Sequence, residues 1–126
     1  MAYDILLKRI YESPNVTDGK RILVDRLWPR GIKKDTAKLD EWAKEITPST
    51  ELRQLLHRGE MPFEGFSQGY IEELEKGSAA TDFADKCRLW LKEGNVTLLY
   101  AAKNEEENHA VVLRVWLRRK LGLRDI

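Results

Sequence analysis

Apolar positions along the chain follow two rhythms, one of strands and one of helices. From Tyr3 to Tyr11 an Ile-Leu-Leu centre is bounded by charge, and Ser13-Pro14-Asn15 follows as a turn, which predicts a first strand. Asp18-Gly19 is a second turn signal. Arg21 to Leu27 then carries Ile22, Leu23 and Val24 in succession, which predicts a strand covered on both faces. Val96 to Ala101 is a third run of the same kind. Between the second and third runs the spacing becomes helical. Leu39, Trp42, Ala43 and Ile46 stand at i, i+3, i+4 and i+7 behind a capping Asp35 or Thr36, and predict a helix that Pro48 ends. Ser49 caps a second helix with Leu52, Leu55 and Leu56 inward and Gly59 at its end. Phe63, Phe66, Tyr70 and Leu74 predict a third helix over Phe63 to Lys76, stopped by Gly77. Thr81 or Asp82 opens a fourth, with Phe83, Cys87, Trp90 and Leu91 on one stripe and Gly94-Asn95 after it. Asn108 caps the last helix, in which Val112, Leu113 and Trp116 face inward and Arg118, Arg119 and Lys120 supply a cationic end.

The link between the first two strands fits either a hairpin or a parallel crossover shrunk to one helical turn. Periodicity does not separate the two, and the parallel form is preferred. The expected fold is therefore α/β: a small, mainly parallel, three-stranded sheet flanked by about five helices, in one domain spanning residues 1–126. Ligands of such sheets bind beyond the carboxyl ends of the strands. Two loops meet that condition, Trp28 to Lys34 and Lys103 to His109, and they open on one edge if their strands are parallel neighbours.

Composition narrows the picture. At 42% hydrophobic and 34% charged residues the chain reads as an ordinary globular protein with a real core. A net charge of +1 gives no bulk attraction to nucleic acid, so electrostatic function must come from local clusters. One cysteine excludes an internal disulfide. No apolar run approaches the roughly 18–20 residues of a membrane span, and Asp4, Lys8 and Arg9 do not fit a signal peptide. A cytoplasmic location without membrane association is the expectation. Two separated histidines and one cysteine have no metal-ligand spacing, and no phosphate-loop or dinucleotide fingerprint occurs, so neither metal nor cofactor is expected.

The chemistry gathers around LVDRLWPRGIKK, from Leu23 to Lys34. Arg26, Arg30, Lys33 and Lys34 bring four cations into it, and Pro29 and Gly31 shape its backbone. Arginine forks supply paired hydrogen bonds to phosphate or carboxylate. Trp28 offers a stacking face, although proline after it equally marks the end of a strand. Asp25 lies in an apolar strand, where a carboxylate needs a partner; it orients a cation of the site or forms a structural pair. Asn108 and His109 stand where a helix N-terminus presents free amides to an anion, and His109 can also move protons near neutral pH. Tyr100 and Lys103 lead toward the same edge. Arg53 and His57 lie one turn apart and share a helix face, as Tyr70 and Glu73 do on the next helix. Tyr70 and Tyr100 also fit as packed aromatics, Cys87 as a buried thiol, and the basic run from Arg114 to Arg124 as a helix C-terminus.

Four ordered motifs, VDRLWPRGIKK, EITPSTELRQLLH, F-x-x-x-Y-x-x-EL from Phe66 to Leu74, and TLLYAAKNEEENHAVVL, resemble the DUF488 family in its YeaO-like branch over nearly the whole chain. The family's function is unknown. The resemblance implies a compact α/β domain and directs attention to Asp25, Arg26, Trp28, Pro29, Arg30, Gly31, Pro48, Ser49, Arg53, His57, Tyr70, Glu73, Tyr100, Asn108 and His109. A sister branch carries Cys-His-Arg where this chain has Asn108-His109-Ala110, and a Cys at the position of Tyr100, so a thiol mechanism does not transfer. The leading expectation is a pocket for an anionic, phosphate- or nucleotide-like small molecule. Arg26 and Arg30 would clamp it, with Trp28, Arg53, Tyr70, Tyr100, Lys103 and Asn108 also in contact, His57 or His109 as acid–base groups and Asp25 as the orienting carboxylate. The alternatives are a nucleic-acid-associated module using the basic loop and a binding or regulatory protein without chemistry.

Overall fold

Helix, strand and turn signals organise a computed structural model that describes residues 3–123; Arg124 lies outside them. The first strand, β1, is Ile5–Arg9, and β2 is Lys20–Leu23. The link between them holds a single 3-10 turn, Val16–Asp18, capped by Asn15. A one-turn helix α1 (Lys34–Ala37), a short strand β3 (Glu41–Trp42) and a second 3-10 turn (Lys44–Ile46) follow. Then come α2 (Thr50–His57), α3 (Phe63–Lys76), α4 (Ala79–Trp90), the strand β4 (Val96–Tyr100) and α5 (His109–Leu121). Among the described residues no helix is long and apolar enough to cross a membrane.

The sheet is parallel throughout and has four strands in the order β1-β4-β2-β3, not three. The preferred parallel form of the first link holds, with β4 inserted between β1 and β2. In the stretch read as one long helix from Asp35 to Ile46, α1 stops after a single turn. Lys38 adopts left-handed backbone, φ 50°, and the Arg21 guanidinium donates to Ala37 O through Nε and Nη2 at 3.1 and 2.8 Å. Asp40 then accepts from Arg21 N at 2.8 Å, and Ile22 pairs with Glu41. Leu39 and Trp42 pack on one face of the sheet and Ala43 and Ile46 on the other. Residues that imitate one helical stripe therefore serve two cores.

The two cores account for the continuous apolar strands. One face carries Ile5, Ile22, Val24, Val96, Leu98 and Tyr100 against the apolar sides of α2 to α5. The other face has Ile10, Leu23, Ala37 and Leu99, covered by Trp28, Ile32, Leu39 and Trp42 from the irregular chain after β2. Gly69 lets α2 and α3 approach closely: a Cβ there would stand 2.9 Å from a methyl of Leu52.

Candidate functional site

Where β2 and β4 end side by side, the chain turns off the sheet twice. Val24 N still donates to Leu99 O at 3.0 Å, and the next residue, Asp25, is fastened at both ends. Its carbonyl accepts from Trp42 Nε1 at 2.7 Å, and its Oδ2 accepts from Ala101 N at 3.0 Å. The carboxylate thus ties together the carboxyl ends of the two central strands. Across from it, Asn108 caps α5 by accepting from Val111 N and anchors the preceding loop by donating from Nδ2 to Asn104 O at 2.7 Å. This fixes His109 at the first helical position. His109 Nε2 lies 2.9 Å from Val24 O and 2.9 Å from Asp25 Oδ1. A single proton on Nε2 cannot serve both acceptors fully. It is directed to the Val24 carbonyl, which leaves Oδ1 buried without a donor.

The opposite wall is the start of α2. Ser49 Oγ accepts from Leu52 N, and Ser49 N donates to Glu73 Oε1 at 2.9 Å, so α3 positions the helix entry. Thr47, Pro48 and Thr50 bring this entry toward Arg26. Arg26 donates from Nε to Thr47 Oγ1 at 3.3 Å and from Nη1 to Thr50 Oγ1 at 3.4 Å. Arg53 Nη2 donates to the same Thr50 oxygen at 3.3 Å. Two guanidinium groups thus meet at one hydroxyl. Neither has an ion-pair partner among the described residues, and Arg53 Nε is buried without an acceptor. Between the walls is a cleft of about 230 Å³ lined by Asp25, Arg26, Leu27, Thr47, Pro48, Arg53, Ala102 and His109. On the far side of Arg53 and His109 is a second cavity of about 230 Å³, with Leu56 and Phe66 as apolar wall and His57, Glu107 and Asn108 as polar wall.

Asp25, Arg26, Arg53 and His109 thus share one cleft, and His57 and Asn108 adjoin it. Other candidates go elsewhere. Trp28 turns into the second core, edge-on to Trp42 at 5.3 Å between ring centres, and donates to Ile32 O at 2.7 Å. Among the described residues no long helix packs on that face, and the loop's own indole covers it. Arg30 is exposed, its carbonyl accepts from the Tyr11 hydroxyl, and its side chain does not line the cleft. Lys33, Lys34 and Lys103 are exposed outside it as well. Tyr70 is fully buried, donates to Ile46 O at 2.5 Å, and burial pushes its hydroxyl pKa upward, with the Glu73 charge adding to the shift. Tyr100 packs in the main core; burial raises its pKa, and Glu105 adds to that while a bond to Asn108 partly offsets it. Sequence reasoning passed over Thr47 and Thr50, whose hydroxyls hold the arginines. The available signal was the threonine pair flanking Pro48-Ser49 at a helix entry.

Among the described residues no cluster of three or more His, Cys, Asp or Glu side chains could hold a metal ion. Cys87 is buried, and its pKa is pushed up to about 12 by burial and by the Glu41 charge, against a smaller effect of Lys86. A thiol held neutral is a poor nucleophile. An aromatic disulfide reagent at mildly alkaline pH should leave the native protein unlabelled and modify Cys87 only after denaturation. Rapid labelling of the native state would show the thiol to be accessible.

A family model described as "Inactive DUF488-N3 subclade" matches residues 4–125. The chain is 50% identical over 119 residues to the uncharacterised protein YeaO of Escherichia coli K12, covering 91% of this chain and 97% of that one. It is 36% identical over 109 residues to the uncharacterised proteins Mb3100c of Mycobacterium bovis and Rv3073c of Mycobacterium tuberculosis, covering 86% of this chain and 89% of each. No solved structure matches.

Proposed function

Because the chain belongs to the DUF488 family, in what is described as an inactive subclade, we propose that it holds a small anionic molecule in the cleft between α2 and α5 without transforming it. The observation that carries this reading is the meeting of Arg26 and Arg53 at the Thr50 hydroxyl, with neither guanidinium in an ion pair among the described residues. Like charges brought together repel, and each guanidinium keeps donors unspent that a phosphate or carboxylate would take in pairs. Thr47 and Pro48, just ahead of α2, and His109, the first residue of α5, line the cleft, so the positive ends of two helix dipoles lie near it. The reading assigns His109 a positioning role, because its Nε2 proton goes to Val24 O. An extended nucleic-acid surface on the Trp28 to Lys34 loop has less support, since the indole it would use for stacking is engaged by Trp42 and Ile32.

Calorimetry with inorganic phosphate at low salt tests the proposal. Binding should saturate at one site, and Arg53→Ala should weaken it by about tenfold or more, the scale of one charge-assisted hydrogen bond. Replacing Lys33 and Lys34 by alanine should change affinity less than about twofold, as the loss of distant, screened charges does. The reverse pattern would move the site to the exposed loop and remove the cleft from consideration.

A further inference from the structure

Asp25 is out of place in a site that only attracts anions. A carboxylate beside a bound phosphate repels it, so its presence there needs a reason from the ligand or from the fold. The fold supplies half of one: Oδ2 holds Ala101 N. Oδ1 is left over. Among the described residues, the buried side-chain polar atoms without a hydrogen bond are Asp25 Oδ1 and Arg53 Nε. One is an acceptor and the other a donor, and their residues line the same cleft. Folded proteins leave few such atoms, since each has given up its hydrogen bond to water without a replacement. Two of opposite type in one cleft describe the complement of a molecule that offers an anion at one end and a donor at the other.

From this, and resting on the anion-binding reading above, we infer that the ligand is a small hydroxylated phosphate monoester of the polyol or sugar phosphate class. The phosphate lies against Arg26 and Arg53, whose combined charge matches the roughly −2 of a phosphate monoester near neutral pH. A hydroxyl near it donates to Asp25 Oδ1. His109 Nε2, 2.9 Å from Oδ1, makes its hydrogen bond to Val24 O, so Oδ1 keeps its acceptor capacity for a ligand hydroxyl. A cleft of about 230 Å³ admits only a few carbon atoms beside the phosphate. Arg53 is the element that yields on entry. It is half-buried, and its side chain is held by one 3.3 Å bond to Thr50, long for a hydrogen bond and correspondingly weak.

The experiment compares glycerol 3-phosphate with n-propyl phosphate, which has the same three-carbon chain without hydroxyls, and with inorganic phosphate. Affinities for the unmodified protein and for Asp25→Asn are measured by calorimetry. The unmodified protein should bind glycerol 3-phosphate about tenfold more tightly than propyl phosphate, the effect of a hydroxyl bonded to a buried charge. In Asp25→Asn the Ala101 amide retains the side-chain oxygen and an NH2 replaces the free acceptor, so the preference should shrink to about twofold or less. Equal binding of the two esters by the unmodified protein overturns the hydroxyl assignment while leaving the anion site standing. A preference that survives Asp25→Asn also overturns it, because the hydroxyl is then received elsewhere. No binding of any of the three phosphates removes the anion site itself. The ester comparison needs no variant, so it decides the matter even if Asp25→Asn fails to fold.

Discussion

Gly19→Ala should cost about 4 kcal/mol or more and leave the protein largely unfolded at physiological temperature. Gly19 has φ 65° and ψ −131°, a region that side-chain-bearing residues avoid at a cost of about 1–3 kcal/mol. The larger part of the effect is steric. A Cβ there would stand 1.9 Å from Asn95 O and 2.6 Å from its carbonyl carbon. Asn95 cannot retreat. Its carbonyl accepts from Lys20 N at 2.9 Å, where β2 joins β4; its Oδ1 accepts from Asp4 N and its Nδ2 donates to Thr17 O, both at 2.9 Å. Moving it breaks the bonds that align β1, β2 and the turn between them. Gly31→Ala is the control: its φ is also positive, 81°, but a Cβ would meet nothing within 4 Å, so only about 1 kcal/mol of backbone strain is expected. Thermal melts followed by circular dichroism check both. A Gly19→Ala midpoint within a few degrees of the unmodified protein would mean that the strand junction can open, contrary to the geometry.

Asp18→Asn should cost about 3–5 kcal/mol, lowering the melting temperature by on the order of 10 °C. Asp18 is buried and its carboxylate accepts from Arg21 Nη1 at 2.6 Å, from Lys8 Nζ at 2.9 Å and from Asn15 N at 3.0 Å. Removing that charge leaves buried Arg21 without its counterion while its other nitrogens remain tied to Ala37 O. Burial alone would raise the carboxyl pKa. The Asn15 amide, Lys8 and Arg21 together outweigh burial and hold it below the ordinary carboxylate value. A depressed folded-state pKa contributes stability that is complete above the unfolded-state value and lost as pH falls through the folded-state value. The gap between the unmodified protein and Asp18→Asn should therefore narrow between about pH 5 and pH 3, the carboxylate range. Urea titrations at the two ends measure it. A gap that stays constant would assign the loss to packing and not to charge. Asp18 and Gly19 lie at the amino ends of the parallel strands and the cleft at their carboxyl ends, about 15 Å away for strands of this length. Asp18→Asn, measured where it remains folded, should bind phosphate as the unmodified protein does.

Much of the architecture is written locally. Phe63, Phe66, Tyr70 and Leu74 predict α3 over the residues it occupies, because an uninterrupted helical stripe with a terminal glycine leaves little choice. Ser49 and Asn108 are helix caps as expected, since a short polar side chain before an apolar stripe satisfies orphan amides wherever it occurs. The Asp35 to Ile46 stretch was misleading because its spacing fits a helix while its partners lie elsewhere. Arg21, about sixteen positions earlier in the chain, ends α1 at Ala37, and β2 pulls Glu41–Trp42 into the sheet as its fourth strand.

For the candidate site, sequence alone supplied most of the cast: an aspartate and an arginine read as lying late in an apolar strand, which in fact ends at Leu23, an Asn-His at a helix start, and an Arg-His pair one turn apart. It also implied the edge on which they would gather, since parallel strands send their following loops to one side. Only the tertiary structure decided which of them meet. It turned Trp28 into the second core, left Arg30 outside the cleft, kept Tyr70 and Tyr100 for packing, and joined Arg26 to Arg53 through Thr50. The physical reason is that charge and helical spacing are local properties of a segment, whereas a cleft depends on how much apolar surface each sheet face must still cover once the long helices have docked.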